Sequence, residues 1–201
     1  MTDDADLQPA VAAEFLALAD LLDPATEAQW DTPSLCAGWR VREVVARMTM
    51  AAGTSSWPSC AAATSTSAGC PTRSPAGTPA CQPASQLVAD LRSEVMQYWT
   101  PPGGGYHGAL NHVVIHGLDV TVPLGMPRRS PEDTIRIVLD DLTTGGVHQY
   151  FGTRIGGRRL QATDLDWSYG SGSVLGGKAE DIALVLCGRT IPAGRIEGKP
   201  L

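Results

Sequence analysis

Aromatic residues are scarce, at 5% of the chain, and no apolar run reaches the ~18 residues that a membrane-spanning helix requires. A membrane partner is therefore not expected. A basic excess is missing as well: 15 Lys and Arg stand against 21 Asp and Glu, a formal charge of −6. Nucleic-acid binders normally carry a basic stripe, so no nucleic-acid partner is expected. The five cysteines are odd in number, with no C-x-x-C pair and no metal-type spacing, which argues against a disulfide framework or a zinc ribbon. A reduced, cytoplasmic compartment is the economical reading. The opening Met1-Thr2-Asp3-Asp4-Ala5-Asp6 agrees, being acidic where a secretory signal is basic.

A chain of 201 residues buries a core without staples, yet 22 glycines and 15 prolines dilute a globular composition. The diluent is local. Of the 33 residues from Gly53 to Ser85, 30 are Ala, Ser, Thr, Pro, Gly or Cys, the exceptions being Trp57, Arg73 and Gln82. Such a stretch has almost nothing to bury and reads as loop or disorder. A structureless insertion of that length inside a compact domain is itself unusual. Two readings stay open: a genuine low-complexity linker, or GC-rich codons read out of frame.

The remainder reads mainly as helix. Leu7, Val11, Phe15, Leu18 and Leu22 recur at three- and four-residue spacings, and Asp23-Pro24 ends that face. Val41, Val44, Val45, Met48 and Ala52 make a second helix, and Leu87, Val88, Leu91, Val95 and Tyr98 or Trp99 a third. Pro101-Pro102-Gly103-Gly104-Gly105 breaks the chain, so a fourth helix is expected from about Gly108 to Val122. Ser130-Pro131-Glu132-Asp133 announces a fifth, with serine as N-cap, proline at the first position and acids in the first turn. Its apolar face is Ile135, Val138, Leu139 and Leu142. Beyond Gly156-Gly157, the stretch Leu160 to Trp167 alternates as strands do, and Ala179 to Leu186 forms a last short helix. The fold class is thus mainly α, with a helical bundle over residues 1–145 and a small C-terminal α+β appendage over 146–201.

The chemistry-bearing residues lie in the fourth helix. His112 and His116 stand four residues apart, on one helical face, so both imidazoles can reach one metal ion. A third ligand would come from a facing helix. Asp119, three residues beyond His116, could orient a ring nitrogen from behind the ligand. The alternative is a pair of histidines packed or solvated beside Val113, Val114 and Ile115.

The run from Trp30 to Ala46, with Leu35-Cys36-Ala37-Gly38-Trp39 at its centre, resembles the opening of the mycothiol-dependent maleylpyruvate isomerase family, within the DinB-like metalloenzyme superfamily. His116-Gly117-Leu118-Asp119 followed by Pro123-Leu124-Gly125 resembles that family's second signature. Asp166 to Gly172, and Ala179 to Leu184 closing on Gly188-Arg189, are similar to its C-terminal domain. The resemblance implies a DinB-like four-helix bundle that holds a divalent metal, commonly zinc, and uses a mycothiol-like low-molecular-weight thiol as cosubstrate. It also implies isomerisation, or transfer of the thiol to a small electrophile. Coordination to a dication deprotonates a thiol whose ordinary pKa is roughly 8.5, giving a nucleophile at neutral pH.

Two positions depart from the family's pattern. Its second-helix signature ends in a histidine ligand where this chain has Arg47, which has no lone pair to offer a cation. The helical wheel puts Arg47 about 100° from the apolar face, four residues after Glu43, as in a solvated ion pair. His112 stands where the isomerase branch has an acidic ligand. His107 falls on a different face, and His148 reads as a residue at the end of the fifth helix. Cys36 has no histidine near it in sequence and reads as a packed thiol, as does Cys187. Arg189 reads either as a binding group for an anionic thiol or substrate, or as a cation at a helix C-terminus. The functional expectation is a metal-dependent, thiol-activating enzyme acting on a small molecule as a monomer or homodimer, impaired in this chain by Arg47. The alternative is a catalytically silent relative or a non-enzymatic small-ligand binder.

Overall fold

The computed structural model describes residues 3–51, 82–127 and 130–198, so the reading of 53–85 lies outside the described residues except at 82–85. The described residues form two compact units, 3–51 with 82–127, and 130–198.

In the first unit a 3-10 turn, Asp4–Leu7, leads into helix α1, Gln8–Leu22. The predicted stripe is its buried face: Val11, Phe15, Leu18 and Leu22 are fully enclosed. A short helix α2, Glu27–Trp30, escapes periodicity because four residues make barely one turn. It is started by a Thr26/Gln29 capping box, and it buries Trp30. Helix α3, Val41–Met48, buries Val41, Val44, Val45 and Met48 as expected. Between α2 and α3, Asp31 accepts Arg40 Nη1 at 2.9 Å and pairs with Arg42 Nε at 2.8 Å, which fixes the loop's path.

The expected third helix is two: α4, Ala84–Leu91, and α5, Glu94–Tyr98. Ser93 caps α5 by accepting from the Met96 N–H, and this restart shifts the helical phase. Met96 is therefore buried, while Val95 and Tyr98, expected on the apolar face, are exposed. Helix α6, Gly105–Thr121, starts three residues earlier than the glycine-rich break suggests. The reason is a distant cap. The Asp4 carboxylate accepts the His107 N–H at 3.0 Å, and any side chain at Gly105, where φ is +56°, would collide with it. Backbone N–H groups, His107's first and then Tyr106's, hold the Asp4 carboxyl below its ordinary pKa. Helix α1 packs on α4, α5 and α6, and α3 packs on α4 and α6.

The second unit contains helix α7, Glu132–Thr143, a 3-10 turn, Val147–Phe151, and helix α8, Ala179–Leu186. Its sheet has strands β1, Arg158–Ala162, β2, Ser168–Gly170, β3, Ser173–Gly177, and β4, Ile196–Glu197, in the order β2-β1-β3-β4. Strands β1 and β3 are parallel, and the two outer pairings are antiparallel. The expected boundary at 145 grouped α7 with the bundle. Its partners are α8 and the 3-10 turn, within residues 130–198. Periodicity reports that a helix has an apolar face and is silent about what covers it. Helix α7 also begins at Glu132, with Pro131 rather than Ser130 at the N-cap. The fold is mainly α with a small α+β appendage, and among the described residues no helix is long and apolar enough to cross a membrane.

Adjacent positions on α1 test this packing. Phe15 is fully buried and Leu16 is 37% exposed. Phe15→Ala is expected to destabilise the protein by about 3–5 kcal/mol in denaturant unfolding, and Leu16→Ala by under about 1 kcal/mol. Equal losses would show that the helix is turned differently.

Candidate metal centre

Helix α6 carries His112, His116 and Asp119 at the spacing that stacks them over successive turns. The two imidazoles meet edge to face, with ring centroids 4.8 Å apart, and the indole of Trp99 lies 4.8 Å from the His112 ring. Asp119 is completely buried, and its Oδ2 lies 2.9 Å from His116 Nδ1. That carboxylate holds the proton on Nδ1 and leaves the lone pair on Nε2, the arrangement in which carboxylates orient ligand histidines.

His112 is held in the same sense by a different partner. One of its nitrogens bonds the main chain of Met48, while the buried Nε2 has no hydrogen-bond partner among the described residues. Burial above all, then the neighbouring His116 and the Arg47 charge, push its pKa well below the ordinary 6.5. His112 is thus a neutral imidazole with an unused lone pair. A buried polar atom left unpaired is costly, and a metal ion is one of the few partners that satisfies an imidazole nitrogen.

Sequence reasoning missed Cys36. It has no histidine nearby in the chain, yet the fold brings one from 80 positions away: Sγ lies 4.0 Å from His116 Nδ1. The thiol donates to Asp119 Oδ2 at 3.1 Å, so one carboxylate oxygen serves both neighbours. The loop is built for this placement. Ser34 Oγ accepts the Cys36 N–H at 3.1 Å and donates to the Trp39 carbonyl at 2.8 Å, and the Leu35 N–H donates to the Asp119 carbonyl at 3.0 Å. Cys36 Sγ, a His116 nitrogen and an Asp119 oxygen form the one group of three metal-type ligand atoms among the described residues. The signal available in sequence was the pairing of two motifs, the Cys36 loop and the His116/Asp119 turn, whose approach only tertiary structure shows.

The other candidates are distributed elsewhere. Arg47 is exposed and donates to Met50 Sδ at 2.9 Å, so the pair with Glu43 suggested by their spacing does not form; Glu43 binds Arg40. Arg47 still lies close enough to His112 to depress its pKa. His107 contributes its main chain to the Asp4 cap. His148, in the second unit, is buried with Nδ1 2.7 Å from the Leu142 carbonyl at the end of α7. Arg189, also in that unit, donates to the Cys187 carbonyl just past α8 at 3.3 Å. A cavity of about 300 Å³ in the same unit is lined by Lys178, Asp181 and Arg195 among others, and Arg189 is not in its wall.

The donor chemistry therefore fits a divalent ion. Two imidazoles, each with one nitrogen hydrogen-bonded, suit zinc and its neighbours, and a thiol and a carboxylate lie within reach of one of them.

The state of His112 has a consequence for stability. An unfolded chain protonates this residue below about pH 6.5, and the fold resists doing so. The residue's contribution is therefore present above that pH and lost as pH falls towards the depressed folded value. With chelator present, the denaturation midpoint is expected to drop between pH 7.5 and 5.5, and to drop less in His112→Gln. Identical drops would show that His112 titrates normally.

The profile of the mycothiol maleylpyruvate isomerase N-terminal domain matches residues 11–98. The match covers α1, the Cys36 loop and α3 to α5, and it ends before the histidines of α6. No curated protein and no solved structure matches the chain. With the described helices packed around α1 and the Cys36 loop seated on α6, the segment from residue 11 to residue 98 is similar to the N-terminal domain of the mycothiol maleylpyruvate isomerase family.

Proposed function

We propose that this protein is a mycothiol-related enzyme whose chemistry depends on a divalent ion, zinc by its donor set, held by the Nε2 atoms of His112 and His116. The observation that carries the reading is the buried Nε2 of His112, without a hydrogen-bond partner among the described residues, beside a histidine anchored by Asp119. Bound there, such an ion lowers the pKa of a coordinated thiol and supplies a thiolate nucleophile at neutral pH. The protein's own residues bind and orient. Asp119 fixes the His116 ring, Met48 fixes that of His112, and Trp99 covers the latter. The substrate class is a small electrophile, taken through isomerisation or thiol transfer.

Arg47 weakens this function. It supplies no lone pair, and its charge already acts on His112, so it opposes a cation at the same place. A relative with little or no activity is the second reading, and this residue is what favours it. In that reading Arg189 serves as a helix-terminal cation alone. In the first, it is the second unit's own candidate group for holding an anion.

Replacing Arg47 tests the site directly. Arg47→His is expected to tighten zinc binding at least about tenfold by calorimetry, a gain of ~1.4 kcal/mol. His112→Ala in the same background is expected to abolish the gain. An unchanged affinity, or a gain that survives loss of His112, would overturn the two-histidine site.

A further inference from the structure

We infer that Cys36 Sγ, His116 Nδ1 and Asp119 Oδ2 form a second, thiolate-containing ligand set for a soft divalent ion, and that it excludes the His112/His116 set through the single lone pair of His116. The ligand set stands on the Cys36 cluster alone; only its competition with the other set, read through Arg47→His, rests on the two-histidine reading.

The geometry is near what an ion asks. The three atoms are separated by 2.9, 3.1 and 4.0 Å. Tetrahedral bonds of 2.0–2.3 Å place ligand atoms about 3.3–3.8 Å apart, so the carboxylate contacts open by roughly half an ångström and the Cys36–His116 distance closes slightly. The loop is fixed in advance by Ser34 and by the Leu35 N–H on the Asp119 carbonyl, so Cys36 is presented without further ordering. Cys36 and Asp119 are buried, and the His116 side chain, 23% exposed, is the face from which an ion arrives.

The protons balance. On binding, the Cys36 thiol proton passes to water and the sulfur becomes the anionic ligand. His116 gives up no net proton; its hydrogen moves from Nδ1 to Nε2, freeing Nδ1 to coordinate. The His112/His116 set requires the opposite tautomer. A neutral imidazole has one lone pair, so His116 serves one ion position at a time. Thiolate favours soft ions such as zinc and cobalt(II) over magnesium or calcium.

Cobalt(II) chloride reports the ligand set through its absorption spectrum, because thiolate ligation adds a near-ultraviolet charge-transfer band that nitrogen and oxygen ligands do not. Titration of the full chain is expected to produce that band, Cys36→Ser to abolish it, and His112→Ala to leave it intact. Arg47→His, by strengthening the other set, is expected to reduce the band while cobalt stays bound. Should Cys36→Ser fail to fold by circular dichroism, Asp119→Asn and His116→Ala each are expected to weaken the band at least tenfold in apparent affinity. No band at saturating cobalt, or a band unchanged by Cys36→Ser, overturns the inference. Failure of the two-histidine reading would appear separately, as a zinc affinity that Arg47→His does not alter.

Discussion

One fully buried carboxylate organises the first unit's candidate site. Asp119 Oδ2 takes the Cys36 thiol and the His116 ring, and its main-chain carbonyl takes the Leu35 N–H. A carboxylate out of water is tolerated only when hydrogen bonds replace its hydration. Here the replacements come from Cys36 and His116, 80 positions apart in the chain. The loop that precedes α3 is thereby fastened to α6, and the tautomer of His116 follows from the same contact. The Cys36 thiol and the His116 ring thus share one acceptor atom.

Around that anchor the charges are arranged unevenly. Asp119 favours a cation nearby, while Arg47 at the end of α3 disfavours one beside His112. The two charges therefore act in opposite senses on the imidazoles of α6. An imidazole with anchors on one nitrogen and nothing on the other is a group prepared for a ligand. The guanidinium at the end of α3 acts on that same group through its charge.

The helices of the first unit were largely legible, because α1 and α3 each bury one continuous stripe and their spacing shows it. Legibility failed where a remote side chain decided the local structure. Helix α6 begins early because Asp4 caps it, and the predicted third helix splits because Ser93 starts a new one. The partner of α7 was not legible at all, since an apolar face does not name what it packs on. At the site, His112, His116 and Asp119 could be read from spacing along a single helix. Cys36 could not, because its partners are brought by the fold and not by the chain.

The indole against His112 gives the molecule a built-in optical probe. Trp99 lies 4.8 Å from that ring, whereas Trp30 and Trp39 are buried in the packing of the first unit and Trp167 donates to Asp140 in the second. Indole emission responds to a protonated imidazole or an open-shell ion at ring-contact range. Light emitted by Trp99 therefore carries information about events at His112, with no label attached to the chain.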